Sequence, residues 1–103
     1  MVTLKVRGDT PIQKLAGAIG KNLRENGAID VSIVGPIALN RAVKACIIAR
    51  KFLKSDEKPS DLYIQPDFRV QVNDNSSVDN PEVTCIILHI YKTEFNEERS
   101  VTI

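Results

Sequence analysis

The chain of 103 residues has no tryptophan, one histidine and two cysteines. Cys46 and Cys85 lie too far apart to suggest a disulfide scaffold, and they fit reduced thiols in a cytoplasmic protein. Neither they nor His89 show the ligand spacing of a zinc site, so no metal or cofactor is expected. His89 sits in an apolar run and reads as a satisfied core or interface residue. With no Ser/His/Asp arrangement in view, and with Glu97 and Glu98 in the C-terminal tail, catalysis is not expected. Phe52, Tyr63, Phe68, Tyr91 and Phe95 are the only aromatic residues. One or two could stack on unpaired bases, but the core is their default place. No apolar run reaches membrane length, and "MVTLKVRGD" alternates where a signal peptide would be continuously apolar. A chain of this size suits one small domain that buries about 60–65% of its unfolded surface. Self-association, most simply a dimer, is therefore expected.

Net charge is also small, at +1, but it conceals a division. Residues 1–54 hold ten lysines and arginines against three acids, net +7; residues 55–103 hold four against ten, net −6. Two readings follow. The basic half forms a face for a polyanion, or the halves neutralise each other, within one chain or between two.

Residues 3–7, "TLKVR", alternate and predict a short strand. In "DTPIQ", Thr10 has the hydroxyl of a helix cap, Pro11 suits the first helical position, and Gln13 completes a capping box. Ile12, Leu15, Ala16, Ile19 and Leu23 then recur at helical spacing until Gly27 stops the helix. "IDVSIVG" predicts a second strand, and Gly35-Pro36 turns into a second helix over about residues 37–54. Its expected apolar stripe is Leu39, Ala42, Val43, Cys46, Ile47, Ala49 and Leu53, with Asn40, Arg41, Lys44 and Lys51 opposite. "LYIQPDFRVQV" predicts a third strand in which Pro66 demands an edge or a bulge. "NDNSSVDNPE" is a polar turn, and "VTCIILHIYK" is a strand apolar on both sides, as if covered on both. The fold class is α/β, an α+β sandwich. Its order is β-α-β-α-β-β, with a four-stranded mixed sheet and two helices on one face. The domain is expected over residues 1–94, with a flexible tail at 95–103.

The segments "LKV", "P...LAGAIGKNLRENGA", "SIVGPIALNRAVKACIIARKFL" and "DLYIQP" together resemble the bacterial stage V sporulation protein S family across most of residues 3–72. That family is similar in turn to the Alba proteins, small dimeric chromatin and RNA-binding proteins. The resemblance implies an Alba-like fold, self-association through the second helix and adjoining strand, a nucleic-acid role, and regulation of sporulation or a related programme. Two departures matter. Alba proteins carry a lysine pair before the first helix, where this chain has Arg7-Gly8-Asp9-Thr10. They also use the last hairpin as an arm on DNA, where this chain has Asp74, Asp79 and Glu82 and no cation. The hairpin is therefore not the expected main contact.

Cations on the helices are the better candidates. Lys14, Lys21 and Arg24 stand at i, i+7 and i+10 on the first helix, and Arg41 and Lys44 on a stripe of the second that continues to Lys51, which is not itself counted as a contact; Arg7 and Arg69 can add to them from strand ends. Several such charges on one surface bind phosphates by releasing counterions, with weak sequence preference. A solvated helix face would show the same pattern. The start of the first helix, near Gly8 and Thr10, is a possible anion site opposed by Asp9. "GPIALN" lacks the spacing and lysine of a phosphate loop. Gly17-Ala18-Ile19-Gly20 spells the GXXG of KH domains, but lies inside an amphipathic helix. There it reads as small residues pressing onto the sheet.

Overall fold

The computed structural model describes residues 2–72 and 82–95. The elements are β1 (Thr3–Val6), α1 (Ile12–Asn26), β2 (Ala28–Ile33), α2 (Pro36–Lys54), β3 (Ser60–Val72) and β4 (Glu82–Glu94). The sheet order is β1-β2-β4-β3. β1 and β2 are parallel, joined through α1, whereas β4 runs antiparallel to both β2 and β3. Both helices pack on one face, as the pattern predicted. Ile29, Val31 and Ile33 of β2 and Leu88 and Ile90 of β4 meet Leu15, Ala16, Ile19 and Leu23 of α1 beneath that layer. The tip "NDNSSVDNPE", apart from Glu82, and the tail beyond Phe95 lie outside the described residues.

Turn chemistry sets the element ends. Gly27 closes α1 in the left-handed conformation (φ 78°), its N–H donating to the Leu23 carbonyl at 3.0 Å. Gly35, at φ 94°, lets Pro36 begin α2. Pro66 does lie on the edge strand, where a missing N–H costs no ladder bond on the open side. There is no bulge: Gln65, Pro66 and Asp67 pair in unbroken register with His89, Leu88 and Ile87.

Two expectations need correction. Thr10 does not cap α1. Pro11 occupies the cap position without a side-chain bond, which leaves Thr10 one residue too far out. Its hydroxyl instead accepts the Arg7 N–H at 2.8 Å and its own N–H donates to the Arg7 carbonyl at 3.2 Å, closing the loop before α1. Next, α2 is rotated from its expected stripe. Ala38, Ala42, Ala45, Cys46, Ala49 and Leu53 are buried, whereas Val43 and Ile47 are 41% and 51% exposed. A row of alanines brings the helix backbone close to its neighbours, which larger side chains would hold off. β4 is buried on both faces, as its apolar run predicted, although the described helices lie against one of them. Cys85 and Ile87, which point to the other face by strand alternation, are buried nonetheless. The GXXG residues also divide: Gly17 is exposed, while Gly20 is buried with Phe52 of α2 as its nearby neighbour.

Candidate nucleic-acid interface

Four lysines stand out on the helix layer. Lys14 and Lys21, seven residues apart, share the outward side of α1; Lys44 and Lys51, also seven apart, share the outward side of α2. All four are exposed, and none has an ion-pair partner among the described residues.

The arginines behave differently. Arg24 makes a two-pronged pair with Asp56, Nε to Oδ2 at 2.9 Å and Nη2 to Oδ1 at 3.1 Å, so its charge is matched where the sequence pattern counted it with the open cations. Arg41 is half-buried and donates from Nη1 to the Thr10 carbonyl at 3.0 Å. It therefore ties the loop before α1 to α2, which the helical spacing that grouped it with Lys44 and Lys51 did not show. Arg50 pairs with buried Asp61. The guanidinium hydrogen bonds hold that carboxyl below the usual carboxylate range against the opposing effect of burial. Arg7 is exposed, but it stands with Lys5, Gly8, Ser32 and Val34 around a hollow at the ends of β1 and β2. Arg69 is exposed in register with Cys85, on the sheet face turned away from the helices. The structure thus brings Lys14, Lys21, Lys44 and Lys51 onto one layer, places Arg41 at its margin, and leaves Arg69 on the far side.

Between the start of α1 and α2 runs a groove of about 560 Å³ lined by Pro11, Ile12, Gln13, Arg41, Lys44, Ile47 and Ile48. It adjoins a smaller hollow that includes Pro36, Ile37 and Asn40. Ile37 is 65% exposed and lies over Gly8, 3.5 Å from where a Cβ would stand. The sequence pattern placed Val43 and Ile47 on one broad apolar stripe with the core residues and did not separate this exposed aliphatic surface from them.

No group of three or more His, Cys, Asp or Glu side chains among the described residues could hold a metal. No described helix is long and apolar enough to cross a membrane. His89 is satisfied, as expected, though by Asp30 on the face turned away from the described helices (Nδ1 to Oδ1, 2.7 Å) and not within the main core.

With this geometry in place, the comparisons are specific. The family model for stage V sporulation protein S matches residues 2–93. The chain belongs to the stage V sporulation protein S family. Membership carries a sporulation-related role. Among solved structures, Alba from Thermoplasma volcanium is similar at a TM-score of 0.56 and 16% identity, covering 89% of this chain and 99% of that one. At that identity the likeness establishes the fold, which is Alba-like.

Proposed function

We propose that this chain is a self-associating, non-catalytic protein that binds DNA or RNA through backbone charge, in the cytoplasm, as a regulator of sporulation or a related developmental programme. The observation that carries the reading is the selective matching of its cations. Asp56 and Asp61 take up Arg24 and Arg50, while Lys14, Lys21, Lys44 and Lys51 stay exposed on one layer without a carboxylate among the described residues. Such an array holds phosphates with little sequence preference and strong salt dependence.

The test is a fluorescence-polarisation titration of random duplex and single-stranded oligonucleotides at two salt concentrations. Lys44→Glu/Lys51→Glu is the informative variant, because Arg41 also holds the loop before α1. Affinity should drop at least about tenfold, with a shallower salt slope. Unchanged affinity in a folded double variant would refute the assigned face.

Self-association is the second part of the reading, supported by the aliphatic side chains of α2 left outside the core. Ile37, Val43 and Ile47 are all exposed. An alternative role as a protein-interaction module draws on the same surface together with the +7/−6 charge division. It predicts a salt-dependent oligomer and no oligonucleotide binding at low salt.

A further inference from the structure

The sheet face turned away from the helices carries a second set of groups, which the helix-layer lysines do not reach. Strand register orders it in rows. Tyr63 of β3 pairs with Tyr91 of β4, and their rings stack at 5.1 Å between centroids and 27° between planes. In the next row His89 stands between Asp30 of β2 and Gln65 of β3. Its Nδ1 is 2.7 Å from Asp30 Oδ1 and its Nε2 is 3.7 Å from Asp67 Oδ2. Two rows from the tyrosines, Lys5 of β1 and Ser32 of β2 are register partners beside Arg7 and Gly8, around a hollow of about 270 Å³.

Each group has a use toward an unpaired nucleotide. Tyr63 is 50% exposed while Tyr91 supports its ring, so a base covering it orders little that is not already ordered. Every base has a π-face, and stacking of this kind is sequence-tolerant. A duplex offers Tyr63 nothing, because its internal bases are already covered on both sides. Exposed Gln65 has both a donor and an acceptor, and the exposed carboxylate of Asp67 accepts from exocyclic amines. Asp30 and Asp67 would repel phosphates, but Lys5 and Arg7 receive them at the other end of the face. Both cations are exposed and lack an ion-pair partner among the described residues. Ser32 beside them is only 7% exposed, and among the described residues its hydroxyl donates only to the Cys85 sulfur at 3.8 Å. Strand spacing and rise put Lys5 about 20 Å from Tyr63, within the reach of a short single strand.

We propose that this face, turned away from the described helices, binds unpaired polynucleotide by stacking on Tyr63 and anchoring phosphate at Lys5 and Arg7, with preference for bases that carry an exocyclic amine. The proposal rests on the nucleic-acid reading above but adds a surface distinct from the helix-layer lysines. The full chain, Tyr63→Ala, Tyr63→Phe, Lys5→Glu and Lys44→Glu/Lys51→Glu are titrated with oligo(A), oligo(C) and oligo(U) RNA, the matching single-stranded DNA, and a duplex. The RNA and DNA arms distinguish the two polymers. Tyr63→Ala should weaken single-strand binding about tenfold, Tyr63→Phe should retain it, Lys5→Glu should weaken it, and oligo(U) should bind least. Duplex affinity should not respond to Tyr63→Ala. Single-strand affinity unchanged in a Tyr63→Ala variant of unaltered melting temperature overturns the proposal. So does loss of self-association in that variant without change in oligonucleotide binding, which would assign the face to protein contact. Duplex binding that depends on Lys44 and Lys51, with no single-strand binding, removes this inference and leaves the helix-layer reading standing. Single-strand binding that needs Tyr63 but not those lysines does the reverse, and absence of all binding removes both.

Discussion

Arg50 and Asp61 meet in a two-pronged ion pair, Nε 2.7 Å from one carboxylate oxygen and Nη2 2.9 Å from the other. The pair joins the latter half of α2 to the start of the edge strand β3. The Asp61 side chain is buried, and its Oδ1 also accepts the Leu62 N–H at 2.8 Å. Because the arginine must reach this carboxylate, the pair helps set the rotation of α2. It thereby helps decide which of its faces meets the core and which is left to partners.

Removing the arginine strands a buried carboxylate. Arg50→Ala should destabilise the fold by about 3 kcal/mol, the low end for breaking a buried pair, since Arg50 itself is partly exposed. Arg50→Lys should recover only part, as one ammonium does not match both oxygens. Urea unfolding of the two variants measures the difference.

The same pair predicts an acid-sensitive fold. Arg50's hydrogen bonds hold the Asp61 carboxyl below its unfolded value. Its stabilising contribution is therefore complete above the ordinary carboxylate range near pH 4 and is lost as pH falls through the lower folded value. Thermal melts from pH 7 down to pH 2 should show a loss of stability that is smaller in Asp61→Asn, after allowance for that variant's lower starting stability.

Two glycines of the first helix region should respond in opposite directions. Gly27→Ala forces a methyl-bearing residue to φ 78°, at a cost of about 1 kcal/mol. Gly17→Ala meets nothing within 4 Å and improves helix propensity, adding about 0.5–1 kcal/mol. Denaturant midpoints of the two variants should fall on either side of that of the parent chain.

Both cysteines should be inert in the native state. Cys46 and Cys85 are free and buried, and burial pushes the Cys46 thiol up to about 11. A thiol reagent at pH 8 should react only as fast as the protein opens, and promptly in denaturant. Rapid native-state labelling of either residue would contradict the packing described.

Self-association should depend on α2's outer aliphatic residues. Ile47→Asp alters a side chain that is half exposed in one chain, so the monomer fold should persist while light scattering reports a smaller particle. An unchanged oligomer would place the contact elsewhere.

Amino-acid order alone determined the six elements, their sequence and the helix-covered sheet, because these follow from local periodicity and turn residues. Ile29, Val31 and Ile33 alternate, Leu15, Ile19 and Leu23 recur at helical spacing, and Gly27 and Gly35-Pro36 punctuate them. The basic character of the helices was equally plain. Tertiary structure alone decided which cations remain open. Arg24 lies 32 residues from Asp56, Arg41 lies 31 from Thr10, and no local pattern encodes such meetings. It also decided the rotation of α2, which exposes Val43 and Ile47 in favour of Ala38 and Ala45, since close packing of small side chains depends on the neighbour being packed against. The gathering of Tyr63, Tyr91, His89 and Asp30 on one face has the same origin, because register between strands far apart in the chain is settled only when the sheet forms.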